Sequence, residues 1–205
     1  VYIFAMPSAR PDKAEGTKRD RTRASLVEAA AQLIAEQGYE RTSLEQVASR
    51  AGMTRGAIYG NFKNKEELFL AVVATKWQPI LPSMRPGASF AEQVDLLADA
   101  VVAAMPARRR SAIGAVSFQL YALTHESMRA RIARANEEIY RQMAAGLHDL
   151  GAEADLPMAP KLFVKVAHAL IDGLMFLHAL TPDLIDADAV RAAIKSIASK
   201  TKPAT

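Results

Sequence analysis

The most constraining stretch of this chain lies between Thr42 and Phe69. Thr42 offers an N-cap, and Glu45 three residues on completes a capping box. Leu44, Val47, Ala48 and Ala51 then form the inward face of a short helix that Gly52 ends. Thr54 caps a second short helix, 55–62, whose inward residues are Ala57, Ile58 and Phe62. Helices this short cannot form a bundle layer alone, but they can cross steeply if the crossing residue is small. Ala48 meets that need, and Gly52 supplies a left-handed turn that costs other residues about 1–2 kcal/mol. Ile58 plugs the space between the two helices. The spacing predicts a helix-turn-helix; the alternative is a helical hairpin inside an ordinary bundle.

The rest of the chain carries the same 3.6-residue period. Leu26, Val27, Ala30, Leu33 and Ile34 predict a helix over 20–37, stopped by Gly38, with Tyr39 folding back on its stripe. Asn64 caps a helix containing Lys65, Leu68, Phe69, Val72 and Val73 that runs to about Trp77. Pro79, Pro82 and Pro86 then mark a break. Longer helical patterns follow at 88–105, 108–123, 126–150, 160–180 and 186–200, separated by Pro106, Thr124-His125, the 151–160 stretch and Thr181-Pro182. No strand-period segment and no fixed repeat occurs. The expectation is an all-α chain. Residues 1–16 form a loose, disordered tail, 17–78 a helix-turn-helix head, and 79–205 a larger helical body.

Composition narrows the function. Half of the 205 residues are apolar, enough for a core, and there is no cysteine, hence no disulfide and no thiolate chemistry. No apolar stretch reads as a bilayer span, and no signal peptide is read at the amino terminus, where Met6 is a candidate initiator. A cytoplasmic protein with no membrane partner is expected. The net charge is +4, and Lys18, Arg19, Arg21 and Arg23 crowd one short segment. A basic arm before a helix suits a polyanion, although a solvated charge run has the same composition. Glycine-rich phosphate loops, nucleophile elbows, metal clusters and histidine–carboxylate dyads are not seen, so neither an enzyme nor a cofactor is expected. His125, His148, His168 and His178 read as packing or surface residues.

Residues 22–74 resemble the amino-terminal domain of the tetracycline-repressor (TetR) family. The segments Gly38–Leu44 and Val47–Leu68 follow its pattern almost position for position. The resemblance implies a homodimeric regulator, a repressor before anything else, binding a palindromic duplex operator through paired heads. It also implies DNA contacts at Thr42, Arg55, Gly56, Tyr59, Asn61 and Lys65, to which the basic residues Arg19 and Arg21 are added. Arg55 opens the recognition helix, from which arginine can take guanine O6 and N7 together. Gly56 lets the duplex approach the backbone, and Lys65 and its helix start hold a phosphate. Tyr59 as packing and Lys65 as solvated charge are the plainer alternatives. Gly60 departs from the family, which often has an aromatic residue or histidine there.

The family's larger domain binds a small-molecule effector and dimerises. Here the 160–180 helix is apolar on most faces, with Ala169 and Gly173 permitting a close crossing, and 186–200 adds Ala189, Val190, Ala193, Ile194 and Ile197. These two helices resemble the family's dimer interface; an intrachain core is the alternative. Phe118, Tyr121, Met128, Ile132, Met143, Leu147, Met175 and His178 are candidate pocket residues for an apolar or amphipathic effector, with simple core as the other reading. Arg108-Arg109-Arg110 is placed at a loop-to-helix junction. An activator, a ligand-independent DNA-binding protein and an enzyme with a helix-turn-helix appendage remain the competing functions.

Overall fold

The computed structural model describes residues 17–76, 80, 82, 85, 87–149 and 155–199. The 1–16 tail, the end of the fourth helix at Trp77 and the boundary at 78/79 lie outside the described residues. Helices and no strands occur among those described. The order is α1 Lys18–Gln37, α2 Leu44–Arg50, α3 Arg55–Tyr59, α4 Lys65–Lys76, α5 Phe90–Arg110, α6 Ala112–Thr124, α7 Glu126–Asp149, α8 Pro160–Leu180 and α9 Ala187–Ala198.

Local chemistry sets most boundaries. Thr17 and Asp20 close a capping box at the start of α1, so Lys18, Arg19 and Arg21 belong to the helix and do not form an arm ahead of it. Gly38 ends α1 at φ +85° and Gly52 turns α2 into α3 at φ +65°, a region closed to most side chains. The cap of α2 is Ser43, not Thr42. Ser43 Oγ accepts from Gln46 N–H and Gln46 answers with its side chain, while Thr42 is buried and donates its hydroxyl to Gly38 carbonyl at 2.8 Å.

Pro106 does not break the chain as expected. α5 runs through it to Arg110, with Ser111 between α5 and α6. Proline removes one intrahelical hydrogen bond, but Val94, Ala98, Val101 and Met105 bury α5 against α8 and α9, which outweighs that loss. The arginine triplet therefore closes a helix carboxyl end, where cations meet the unfavourably exposed carbonyls.

Packing divides the molecule differently from a head and a body. One core joins α1, α2, α3 and α4 to Ala115, Phe118 and Ala122 of α6 and Met128 of α7. A second joins α5, α8 and α9 with Ile139 of α7, and a third gathers Leu147, Leu156, Phe163 and Val164. Phe69 stacks on Phe118 at 4.6 Å, Tyr39 sits 4.7 Å from Tyr121, and Tyr39 N–H donates to Ser117 Oγ at 2.9 Å. Contrary to the reading of apolar stretches in the sequence, α8 is long and apolar enough to cross a membrane, the one such helix among the described residues. Its Phe163, Val164, Ala167, Ile171, Leu174 and Met175 are instead buried in the body.

Candidate nucleic-acid interface

The two short helices place a polar surface opposite their shared core. Ile58 and Val47 are fully buried between them, and Ala48 is nearly so. With those faces inward, Glu45, Arg55 and Tyr59 point out. Arg55 Nη2 lies 3.4 Å from Glu45 Oε1, with the arginine side chain 75% and the glutamate 48% exposed. Tyr59 donates its hydroxyl to the same Glu45 oxygen at 2.9 Å, and the Arg55 guanidinium lies 5.5 Å from the centre of the tyrosine ring. The Tyr59 hydroxyl foremost, then the backbone and Arg55, hold the Glu45 carboxyl below its ordinary range.

Gly56 has internal room for a side chain: an added Cβ would meet Thr54 Oγ1 at 3.8 Å and nothing closer. Its lack of one answers to no packing need within the chain. Gly60 is different, because a Cβ there would press on the Gly56 carbonyl at 3.2 Å. The glycine at the position where the family often has a ring thus fits a tight end to α3.

The other predicted contacts are more engaged. Thr42 faces inward, as described. Asn61 turns its carboxamide to the end of α3, donating to Ala57 carbonyl at 2.8 Å, with Oδ1 buried and without a hydrogen-bond partner. Lys65 donates to Glu40 carbonyl at 3.0 Å and lies over the Tyr39 ring at 4.3 Å. Burial lowers its pKa, against the opposing pull of Glu40. Arg19 and Arg21 are exposed on the first turns of α1. Arg23, whose role was not expected, donates to Asn61 carbonyl at 2.8 Å and covers Phe62 at 4.2 Å. It thereby ties α1 to the end of α3.

The eight predicted pocket residues are spread over several packing groups. Phe118 and Met128 are buried in the head core, and Tyr121 and Ile132 pack against it. Met175 is buried in the second core, while Met143 borders the second and third. Leu147 belongs to the third, and His178 donates to Ile185 carbonyl at 2.7 Å, fastening the turn after α8. A groove of about 450 Å³ between α1 and α2, lined by Ser25, Glu28, Gln32 and Arg50 among others, includes none of the eight.

The body holds a polar group that sequence reading missed. Tyr140 Oη of α7 is 2.5 Å from His168 Nδ1, and His168 Nε2 is 3.4 Å from Asp172. Burial lowers the pKa of nearby Arg108, and the charge of Asp172 partly offsets this. His168 therefore has a carboxylate partner after all. The signal was the four-residue step from His168 to Asp172 on an otherwise apolar helix.

A buried crossing at Ala48 and Ile58, beneath an exposed arginine–tyrosine surface and beside a long-helix body, is the architecture of a helix-turn-helix DNA-binding protein. Comparison with known proteins gives the family. Residues 26–72 match the profile of "Bacterial regulatory proteins, tetR family" and residues 90–201 that of "BetI-type transcriptional repressor, C-terminal". The chain belongs to the TetR family of bacterial transcriptional regulators. It is 26% identical over 161 residues to the HTH-type transcriptional regulator SrpR of Pseudomonas putida, covering 77% of this chain and 75% of that protein. It is 44% identical over 61 residues to the regulator AcrR of Shigella flexneri, 30% of this chain and only 27% of that one. Among solved structures, native NalD, the secondary repressor of the MexAB-OprM multidrug efflux pump in Pseudomonas aeruginosa, superposes with a TM-score of 0.60 at 25% identity. That likeness covers 88% of this chain and 96% of NalD. The SmeT–triclosan complex shares the fold at a TM-score of 0.60 and 21% identity, over 87% and 90% of the two chains.

Proposed function

We propose that this protein is a homodimeric cytoplasmic repressor that binds a palindromic operator through two α2–α3 heads and is released by an apolar or amphipathic small molecule. The observation that carries the DNA side is the exposed Arg55 beside Gly56, a glycine with no internal reason to lack a side chain. Arg55 reads a guanine edge, Gly56 admits the duplex and Tyr59 completes the surface. Lys65, Arg19 and Arg21 supply phosphate contacts. Ser43 takes the helix-start position first assigned to Thr42, because Thr42 is turned inward, and Asn61 acts by closing α3.

The dimer half of the reading rests on α8. Leu162, Phe176, Leu177 and Leu180 are exposed there, with Ala169 and Gly173 between them. The apolar stripe of α9 is already used within the chain, where Val190 and Ile194 are buried and α9 packs on α5. Thus α8 supplies the apolar part of the interface and α9 its small polar outer face. For the effector, two proteins of the same fold favour an amphipathic molecule: SmeT forms a complex with triclosan, and NalD is the secondary repressor of a multidrug efflux pump.

The deciding experiment selects duplexes from a randomised pool and compares Arg55→Ala with the parent. Loss of a bidentate guanine contact is expected to cost about 1–3 kcal/mol and to relax selectivity at one base position per half-site. Equal affinity and equal selectivity would remove Arg55 from the reading surface.

A further inference from the structure

A carboxylate in the middle of a DNA-facing surface is out of place on electrostatic grounds, since each phosphate repels it. Glu45 sits there with both principal side chains of α3 on one of its oxygens: Tyr59 Oη at 2.9 Å and Arg55 Nη2 at 3.4 Å. Folding gains little from it: as an exposed first-turn acid of α2 it meets only the weak positive end of the helix dipole. Ser43 and Gln46 form the capping box of α2, and exposed ion pairs of this kind add little to stability.

We propose that Glu45 is a specificity-determining residue: its carboxylate competes with DNA for Arg55 and Tyr59, and so penalises non-cognate duplex more than operator. The inference rests on the DNA-binding reading above. A non-cognate duplex offers Arg55 a phosphate, which merely replaces one anionic partner with another while Glu45 remains nearby and repelled. A guanine edge offers two coplanar acceptors matched to the guanidinium fork, a geometry that a single carboxylate oxygen at 3.4 Å does not provide. Discrimination of this kind comes from weakening the wrong complex.

The test uses the full chain, with a duplex recovered from a randomised pool and a scrambled duplex of the same composition, each titrated across a salt series. Glu45→Gln keeps an acceptor for the Tyr59 hydroxyl and removes the charge. It is expected to bind the scrambled duplex about tenfold tighter, with a salt slope steeper by about 0.9, the mark of one more phosphate contact. Affinity for the recovered duplex is expected to move by less than about threefold. Glu45→Asp, which keeps the charge, is expected to keep the parent slope, and adding Arg55→Ala to Glu45→Gln is expected to abolish the steepening. Equal gains on both duplexes, no gain on either, or a steeper slope that survives Arg55→Ala overturns the proposal. So does an Asp variant with the slope of the Gln variant. A parent that binds neither duplex overturns the DNA-binding reading itself, and this inference with it. A parent that discriminates no better than Glu45→Gln overturns the inference alone.

Discussion

The two parts of the molecule treat their surfaces in opposite ways. Among the described residues, Tyr59 is the one large apolar side chain that the four head helices leave exposed. The described residues of the body leave nine exposed, in a row on α6 (Ile113, Val116, Leu120, Leu123) and along α8 and the turn after it (Leu162, Phe176, Leu177, Leu180, Leu184). Burial of polar groups runs the other way. Thr42 is the buried polar side chain of the head, satisfied by a carbonyl four residues back, whereas the body encloses Gln93, Arg108 and His168. A domain whose apolar surface is already covered is ready to meet a polar polymer. One that leaves apolar rows exposed and sequesters charges is built to meet other apolar surfaces.

Four substitutions, the last paired with a control, test that contrast. Phe69→Ala has the largest expected effect, because its ring joins Tyr39 of the head to Phe118 of α6. A loss of about 3–5 kcal/mol is expected, seen as a single lowered thermal transition; two separate transitions would show that head and α6 do not share a core. Phe176→Glu comes next. It should give monomers in sedimentation and about a hundredfold weaker operator binding once the paired heads are lost, while an intact dimer would move the interface away from α8. Asp172→Ala removes the charge that offsets the burial of Arg108. It should cost about 1–3 kcal/mol in denaturant unfolding, and an unchanged midpoint would show that Arg108 finds its compensation elsewhere. Ser43→Ala is the mildest, about 1 kcal/mol for a lost cap. Thr42→Ala, expected to matter through the core and not through the cap, is its control: a Ser43 variant as stable as the parent would return the cap to Thr42.

Local signals were readable in the sequence wherever a short-range rule decided the outcome. Gly38 and Gly52 stop their helices at positive φ, and Ala48 and Ile58 form the crossing their spacing predicts. Errors arose where tertiary contacts prevailed. Pro106 loses one hydrogen bond, yet the α5 face packed on α8 and α9 carries the helix past it. Thr42 and Ser43 are both good caps by composition, and only the buried bond from Thr42 to Gly38 carbonyl separates them. On the candidate DNA face, the outward turn of Arg55 was legible from helical phase, while Tyr59 came from the family resemblance. The inward turn of Asn61 is a bond to the carbonyl four residues back that composition does not announce, whereas the Lys65–Tyr39 contact depends on distant segments meeting. The pairing of His168 with Tyr140 joins different helices and leaves no trace in a local window.

The shared core of the head and α6 has a consequence for recombining such proteins. A cut in the proline-marked linker after α4 looks natural, since it follows the motif and the change in helix length. That cut would strip Phe69 and Tyr39 of the α6 rings that cover them. It would also leave the Tyr39 N–H without Ser117. Transplanting this regulator's DNA preference onto another sensing body therefore means carrying α6 and the first turn of α7, through Met128, along with the helix-turn-helix. The transferable unit is defined by the extent of its core, and the chain between its two parts is a poor guide to where it ends.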